Sequence, residues 1–205
     1  MGFNGDIVVL RADSPLADLA PFVGGDGHPV YGEWAYLDGW RAVHVRHFED
    51  PYAFQGPWLT DLAARTGSPV LVCGVFESDV AHVQGLSGTD DFWEGWLDPG
   101  SAASQLAHDR WERAYGRGDF GRFRDEAAAW LEEDRPRVAA AAVRWAAAAG
   151  YDVRPEPILE LLGLKRDPFV QHLFFDLLGL LGLREFKGPE GLEGLKEPDV
   201  EASGA

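Results

Sequence analysis

The chain has 205 residues, of which 46% are apolar and 12% aromatic, and this content is enough to form a sizeable hydrophobic core. Its formal net charge is −16, the sign opposite to that needed to bind phosphates, so we expect no nucleic-acid partner. Residues 1–98 hold 15 acids against 4 bases, a net charge of −11, which makes the N-terminal half attractive to a basic partner protein.

Cysteine content and hydropathy indicate the compartment. A single cysteine, Cys73, excludes an intramolecular disulfide, and the N-terminus lacks the basic start and apolar stretch of a signal peptide. The most apolar segment, residues 169–183, is shorter than a bilayer requires and is interrupted by Gln171, His172 and Asp176. We therefore expect a cytoplasmic protein without a membrane partner.

Short apolar runs separated by turn residues predict about six β-strands in the first half of the chain. They cover residues 6–11, 32–37, 40–48, 70–76, 80–84 and 92–97. Asp38-Gly39 lies between the second and third runs and predicts a β-hairpin. Residues 70–76 are apolar on both faces, which is typical of a central strand, whereas the alternation after residue 79 predicts a strand with one face less deeply covered.

Helical signals also divide the chain. Gly56-Pro57 begins a helix that Gly67 ends, between two strands, and this order permits a crossover connection. From Asp98 onward the apolar period becomes 3.6, which predicts several helices, with a break at Asp134-Arg135-Pro136.

The predicted fold is therefore α+β: a mixed, mostly antiparallel sheet of about six strands with one crossover helix, covered by a C-terminal set of helices. Residues 1–98 form the β-rich half and residues 99–183 the helical half, and we expect the two to pack as one domain. Residues 184–205 are rich in Gly, Pro, Glu and Lys and predict a disordered tail.

Few residues carry a chemical signal. Gly116–Gly121 spells G-x-G-x-x-G, but dinucleotide binding requires this motif between a strand and a helix, and here a predicted helix precedes it, so a linker is favoured. Glu77, Asp79 and His82 bring an imidazole near two carboxylates, for proton transfer or metal binding; the alternative interpretation is a solvated hairpin turn. We expect no cofactor and no metal site, because the sequence contains no phosphate loop and no zinc-ligand cluster.

A candidate docking site lies in the last predicted strand. Asp90, Asp91 and Glu94 are three acids beside Trp93 and Trp96, and an aromatic anchor within a charged rim is a common form of binding hot spot. The alternative is that the tryptophans fill the core while the acids keep the molecule in solution.

Three stretches carry a family resemblance: residues 1–6, residues 67–72 with the following Glu77-Ser78-Asp79, and residues 174–178. With them the chain resembles small, uncharacterised single-domain proteins of high-GC bacteria, a resemblance that implies no activity. Two functional hypotheses follow from the residues. The first is a protein-binding or neutralising module, like immunity proteins and antitoxins, that uses the acidic β-rich half. The second is a small enzyme or small-ligand binder with a pocket between sheet and helices.

Overall fold

The computed structural model describes residues 3–13, 16, 30–45, 56–88, 91–165 and 169–183. Six strands form one sheet: β1 (Gly5–Arg11), β2 (Val30–Ala35), β3 (Trp40–Val45), β4 (Val70–Phe76), β5 (Val80–Leu86) and β6 (Phe92–Leu97). Their order across the sheet is β2-β3-β1-β4-β5-β6, and each pair of neighbours is antiparallel. The α+β class is confirmed, while the parallel pairing expected of a mixed sheet is not found among the described strands.

The same stretches of chain contain five α-helices. They are α1 (Gly56–Thr66), α2 (Pro99–Arg113), α3 (Phe120–Ala148), α4 (Pro155–Leu161) and α5 (Gln171–Leu180). Helix α1 joins β3 to β4, and these strands run in the same direction because both are antiparallel to β1, which lies between them. The connection therefore crosses β1, as the sequence predicts.

Two apolar cores lie on opposite faces of the sheet. One joins Val8 and Val72 to Leu59 and Leu62 of α1. The other, much larger, packs the alternate strand residues against the helices that follow the sheet. Strands alternate their side chains between the two faces, so a three-layer arrangement with helices on both sides accounts for the continuous apolar run of β4.

Trp145 connects the helical half directly to the sheet. Its indole is fully buried, it donates a hydrogen bond from Nε1 to the Val70 carbonyl at 3.0 Å, and its ring lies 5.5 Å from that of Trp40. The described helices therefore share a core with the strands. Residues 184–205, for which the sequence predicts a disordered tail, lie outside the described residues.

Local details confirm some predictions and correct others. The hairpin predicted at Asp38-Gly39 joins β2 to β3, but its turn has three residues, Leu37–Gly39, of which Asp38 and Gly39 have positive φ, 56° and 76°. The half-exposed face predicted for β5 is wrong, because all seven of its residues are buried. The break predicted at Pro136 is also wrong, because Pro136 lies inside α3, a continuous helix of 29 residues. None of the described helices is both long and apolar enough to cross a membrane.

Candidate functional site

The two tryptophans of the predicted docking site lie on opposite faces of β6. Trp93 is 2% exposed and belongs to the larger core, where its indole lies against the backbone of Gly85. Trp96 is half-buried on the α1 side of the sheet. Asp90 lies outside the described residues. Trp93 is therefore part of the core, and its ring is not available as an aromatic anchor.

Two acids of the same stretch, Asp91 and Glu94, also lie on different faces of the sheet. Asp91 is paired with Arg144 of α3, with an Oδ2–Nε distance of 3.3 Å, whereas Glu94 lies beside His82 on the other face of the sheet. Residues 91–96 thus divide between two sides of the edge strand, as the alternation of strand side chains dictates. They do not form one continuous docking surface.

His82 lies in a polar cluster on the α1 side of the sheet. It is 4% exposed, and its ring stacks on that of Trp96 with a centroid separation of 4.3 Å. The Gln84 amide nitrogen, which can only donate, is 3.2 Å from His82 Nδ1. Nε2 faces Glu94 Oε2 at 3.4 Å, a separation too long and too poorly aligned for a strong hydrogen bond.

The contact with His82 is the main cause that lowers the pKa of the Glu94 carboxyl from its ordinary value. Partial burial opposes this effect, and the nearby Arg137 guanidinium acts in the same direction as His82. Glu94 is therefore ionised at neutral pH and anchors the imidazole. Because Gln84 occupies Nδ1 and Glu94 faces Nε2, both ring nitrogens already have neighbours within the cluster.

Glu77 and Asp79 lie in the tight turn between β4 and β5. Ser78 fixes this turn: its hydroxyl accepts a hydrogen bond from the Phe3 amide at 2.6 Å, and its own φ is 63°. The two carboxylates are exposed and line a groove that His82 does not line. The predicted cluster of Glu77, Asp79 and His82 is therefore not formed. Among the described residues, no three His, Cys, Asp or Glu side chains are placed to hold a metal ion.

That groove has a volume of about 900 Å³. One wall is the β4–β5 turn, with Glu77 and Asp79, and beside it Phe76, which is 40% exposed. Residues of α2 and α3 complete the lining: Phe120 is 38% exposed, and Arg124, together with Lys165 after α4, adds positive charge. The α2 residues of the lining are polar: Ser101, Ser104, Gln105 and His108.

Helices α2 and α3 form a helical arm at the groove, joined by a short loop. Arg110 crosses between them, with an Nη1–Glu126 Oε2 distance of 2.6 Å and its guanidinium 4.4 Å from the Phe123 ring centre. The loop contains the first four residues of the G-x-G-x-x-G stretch, the last two being the first residues of α3, and Asp119 caps α3 by accepting from the Arg122 amide. The motif is an inter-helix linker, as predicted.

The end of the arm presents aromatic side chains. Tyr115 is 91% exposed and holds a left-handed backbone with φ 55°, a conformation that is uncommon for a residue with a Cβ. Trp111 is 36% exposed and lies three residues after His108, so it continues the helix face that lines the groove. The aromatic surface therefore extends from the groove to the tip of the arm.

Cys73 and Ser87, two other residues considered as possible nucleophiles, lie at positions where they contribute to the fold. Cys73 has no exposed surface, and burial, with a further contribution from the charge of Asp6, raises the pKa of its thiol well above the ordinary value. Ser87 follows β5 directly, and its amide donates to the Asp91 carbonyl at 3.1 Å. Neither lies in the groove.

The sequence analysis named Glu77 and Asp79, but as a cluster with His82 rather than as part of a groove, and it missed the groove's apolar residues. Phe76 belongs to an apolar strand and Phe120 to a glycine-rich linker, and neither context distinguishes an exposed ring from a buried one. One signal was present: Ser104, His108, Trp111 and Tyr115 repeat at intervals of three and four on one face of a helix. Comparison with known protein families, with curated proteins and with solved structures found no match.

Proposed function

We propose that the protein is a protein-binding module whose docking surface is the groove between the β4–β5 turn and the α2–α3 arm. The observation that carries this proposal is a groove of about 900 Å³ that displays two partly exposed phenylalanines, Phe76 and Phe120. Partly exposed aromatic rings within a polar rim are the usual energetic centre of a protein interface. The acidic β-rich half contributes one wall of the surface.

The open shape of the groove, rather than its size, favours a protein segment over a small molecule. Binding pockets for small molecules enclose most of the ligand in about 300–1,000 Å³. The cavity between β6 and α3, beside Trp96 and Leu131, has about 40 Å³, which is room for very few atoms. The large groove is open to solvent along the arm and suits an extended or helical segment of another chain.

The charges of the groove indicate the partner's composition. Glu77 and Asp79 form no ion pair with any described residue, so their charges are available to a partner. A segment with lysine or arginine next to an aromatic or aliphatic side chain satisfies both the carboxylates and the phenylalanines, while Arg124 and Lys165 of the same groove favour an acidic residue elsewhere in that segment. A module that masks such a segment would neutralise the protein that carries it.

A selection from a random peptide library tests this proposal. We expect the protein to enrich peptides that combine a basic and a large apolar residue, and we expect both Phe120→Ala and the pair Glu77→Lys with Asp79→Lys to abolish the enrichment. Trp130→Ala is the matched control, because Trp130 is 47% exposed on α3 but does not line the groove. Peptides that bind all variants equally, or no enrichment at all, would overturn the proposal.

A second candidate, a small enzyme or ligand binder, draws on one observation: a buried histidine, His82, held between Trp96 and an ionised Glu94. This pair resembles the base and its orienting acid in hydrolytic sites. The thiol of Cys73 lies on the other side of the sheet, within the larger core, so it is no nucleophile for this base. An NMR titration of His82 with small acids and esters tests the hypothesis, and shifts that persist in Glu94→Gln would contradict it.

A further inference from the structure

The β4–β5 turn has a backbone conformation that its residues adopt only at a cost. Glu77 and Ser78 have positive φ, 50° and 63°, and the Asp79 amide closes the turn by donating to the Phe76 carbonyl at 3.0 Å. A turn with two consecutive left-handed residues usually contains Asn-Gly, because a Cβ disfavours this conformation. The turn therefore stores strain that contacts with other parts of the chain must offset.

Strain of this kind is concentrated at the groove. Among the described residues, five that are not glycine have positive φ, and three of them line the groove: Glu77, Ser78 and Asp98. Asp98 is 3% exposed and caps α2 by accepting from the Ser101 amide at 3.1 Å. Strained residues persist only where the surrounding structure holds them, and they cluster at binding sites. The left-handed backbone is thus associated with the docking surface.

Two segments that are distant in the sequence hold the turn in place. The Ser78 hydroxyl accepts from the Phe3 amide at 2.6 Å, and Asn4 Oδ1 accepts from the Glu77 amide at 2.6 Å. Two backbone hydrogen bonds add to these, from the Ser78 amide to the Phe3 carbonyl at 3.0 Å and from the Val170 amide to the Ser78 carbonyl at 2.8 Å. Asn4 does not line the groove, so it acts on that surface only through the turn.

We propose that Asn4 and the Ser78 hydroxyl are positioning groups of the docking groove: they keep the turn left-handed, so that Glu77 and Asp79 have a fixed arrangement before a partner binds. This inference rests on the proposed function, since it assigns the residues that prepare the same surface. A surface that is already ordered loses less conformational freedom on binding, which raises affinity. Without the two side-chain acceptors the turn can adopt other conformations, and binding must then order it.

The variant Asn4→Ala with Ser78→Ala, in the full chain, tests this role because it removes both acceptors and leaves both carboxylates in place. The probe is the pentapeptide N-acetyl-Lys-Phe-Gly-Gly-Glu-amide, which offers a base and a ring to the turn and an acid to Arg124 and Lys165. We expect isothermal titration calorimetry to give a dissociation constant at least about fivefold higher for the variant than for the natural sequence. The Glu77 amide, which loses its acceptor, should exchange with solvent at least about tenfold faster.

The matched control removes two acceptors at the other end of β4, by Thr66→Ala with Ser68→Ala. There the Ser68 hydroxyl accepts from the Arg11 amide at 3.0 Å, and Thr66 Oγ1 accepts from the Ser68 amide at 3.4 Å. This control should lower the melting temperature but bind the pentapeptide like the natural sequence. In a further variant, Asn4→Ala with Ser78→Gly, part of the affinity should return, because glycine adopts the left-handed conformation at no steric cost.

Three results would overturn the positioning role: equal affinity of the first variant and the natural chain, an equal loss of affinity in the control, or a natural chain that does not bind the pentapeptide. If the first variant lacks native near-ultraviolet circular dichroism, Asn4→Ala alone replaces it, because Asn4 is exposed. The peptide selection decides the proposed function separately. A selection that succeeds while the positioning test fails therefore removes the positioning role alone.

Discussion

Gly85 in β5 shows how one missing side chain determines the packing of an aromatic ring. The indole of Trp93 on the neighbouring strand occupies the space where a Cβ on residue 85 would lie. Trp93 is 2% exposed and is enclosed by the larger core, so the ring has little room to move. A methyl group at this position must therefore displace the ring or separate the two strands.

We expect Gly85→Ala to lower the free energy of unfolding by about 1–3 kcal/mol, the usual effect of overpacking a core. Gly88→Ala is the matched control: Gly88 lies just after the same strand with open space around it, and its change should stay within about 0.5 kcal/mol. Urea denaturation followed by tryptophan fluorescence measures both. Equal effects at the two glycines would show that the Trp93 ring can be accommodated elsewhere.

The ionisation of Glu94 makes the stability of the folded protein depend on pH. Its pKa is lower in the folded protein than its ordinary value, so its ionisation stabilises the native state above the ordinary pKa, and this contribution is lost as the pH falls through the folded-state pKa. Because the side chain is 46% exposed, solvent screening limits the contribution to at most about 1 kcal/mol.

We therefore expect Glu94→Gln to be less stable than the natural sequence at pH 7, and the difference to shrink as the pH falls below the ordinary carboxyl pKa of 4.5. Thermal denaturation over this pH range measures it. Glu112→Gln is the control, since Glu112 is an exposed acid 3.9 Å from an exposed histidine, His108. A difference at Glu94 that grows as the pH falls would contradict the assigned direction.

At the scale of elements, α3 is unusual because it contains a proline in its interior. Pro136 has no amide hydrogen for the carbonyl four residues earlier, and its ring opposes the helix there. An ion pair at a spacing of three residues, Arg137 with Asp134, spans the site, and a second, Arg135 with Glu132 at 2.7 Å, lies just before it. From residue 138 onward the helix is held against the sheet by buried alanines and Trp145, and this packing outweighs the local propensity.

Replacing this proline should stabilise the protein. We expect Pro136→Ala to raise the free energy of unfolding by about 1–3 kcal/mol, because it restores a backbone hydrogen bond and removes a steric conflict. Pro155→Ala is the control: Pro155 is the first residue of α4, where proline is favourable, so its replacement should give no gain. Chemical denaturation compares the two. A loss of stability in Pro136→Ala would indicate that α3 needs its proline.

The elements themselves were largely predictable, and the reason lies in local signals. The Asp38-Gly39 turn, the glycine after α1 and the aspartate-proline start of α2 are short-range features, and all three occur as expected. The continuity of α3 and the burial of both faces of β5 depend on contacts between distant parts of the chain. Patterns within 10–20 residues do not contain that information.

The same distinction applies to the site. The exposed acids of the β4–β5 turn follow from a local turn sequence, whereas the groove combines that turn with residues of α2 and α3 that are distant in the sequence. The pairing of His82 with Glu94 joins residues that the sequence analysis assigned to two different candidate sites. His82 and Glu94 lie close together because of the register of β5 and β6, which places Glu94 opposite Gln84, two residues from His82 along β5.

For the whole molecule, the charge of −16 implies repulsion within the folded state. We expect the melting temperature to rise by a few degrees as the ionic strength increases from about 10 to 150 mM, because salt screens this repulsion. A variant with Asp13→Asn, Asp38→Asn and Asp79→Asn should show a smaller rise. A fall with salt would instead show that ion pairs such as that of Arg110 with Glu126 contribute more than the repulsion.

The position of β1 within the sheet also has a consequence for synthesis on the ribosome. β1 is the first described strand to be made, yet its neighbours β3 and β4 are made later, and β4 ends only at residue 76. At roughly 5–20 residues per second, the second edge of β1 stays without its partner for about 3–13 s. The larger core is completed later still, because Leu173 and Leu177, which belong to it, lie near the end of the described chain. The nascent protein therefore exposes β1 as an unpaired, strongly apolar strand. We expect holding chaperones to bind this strand until the helices that cover the sheet have been synthesised.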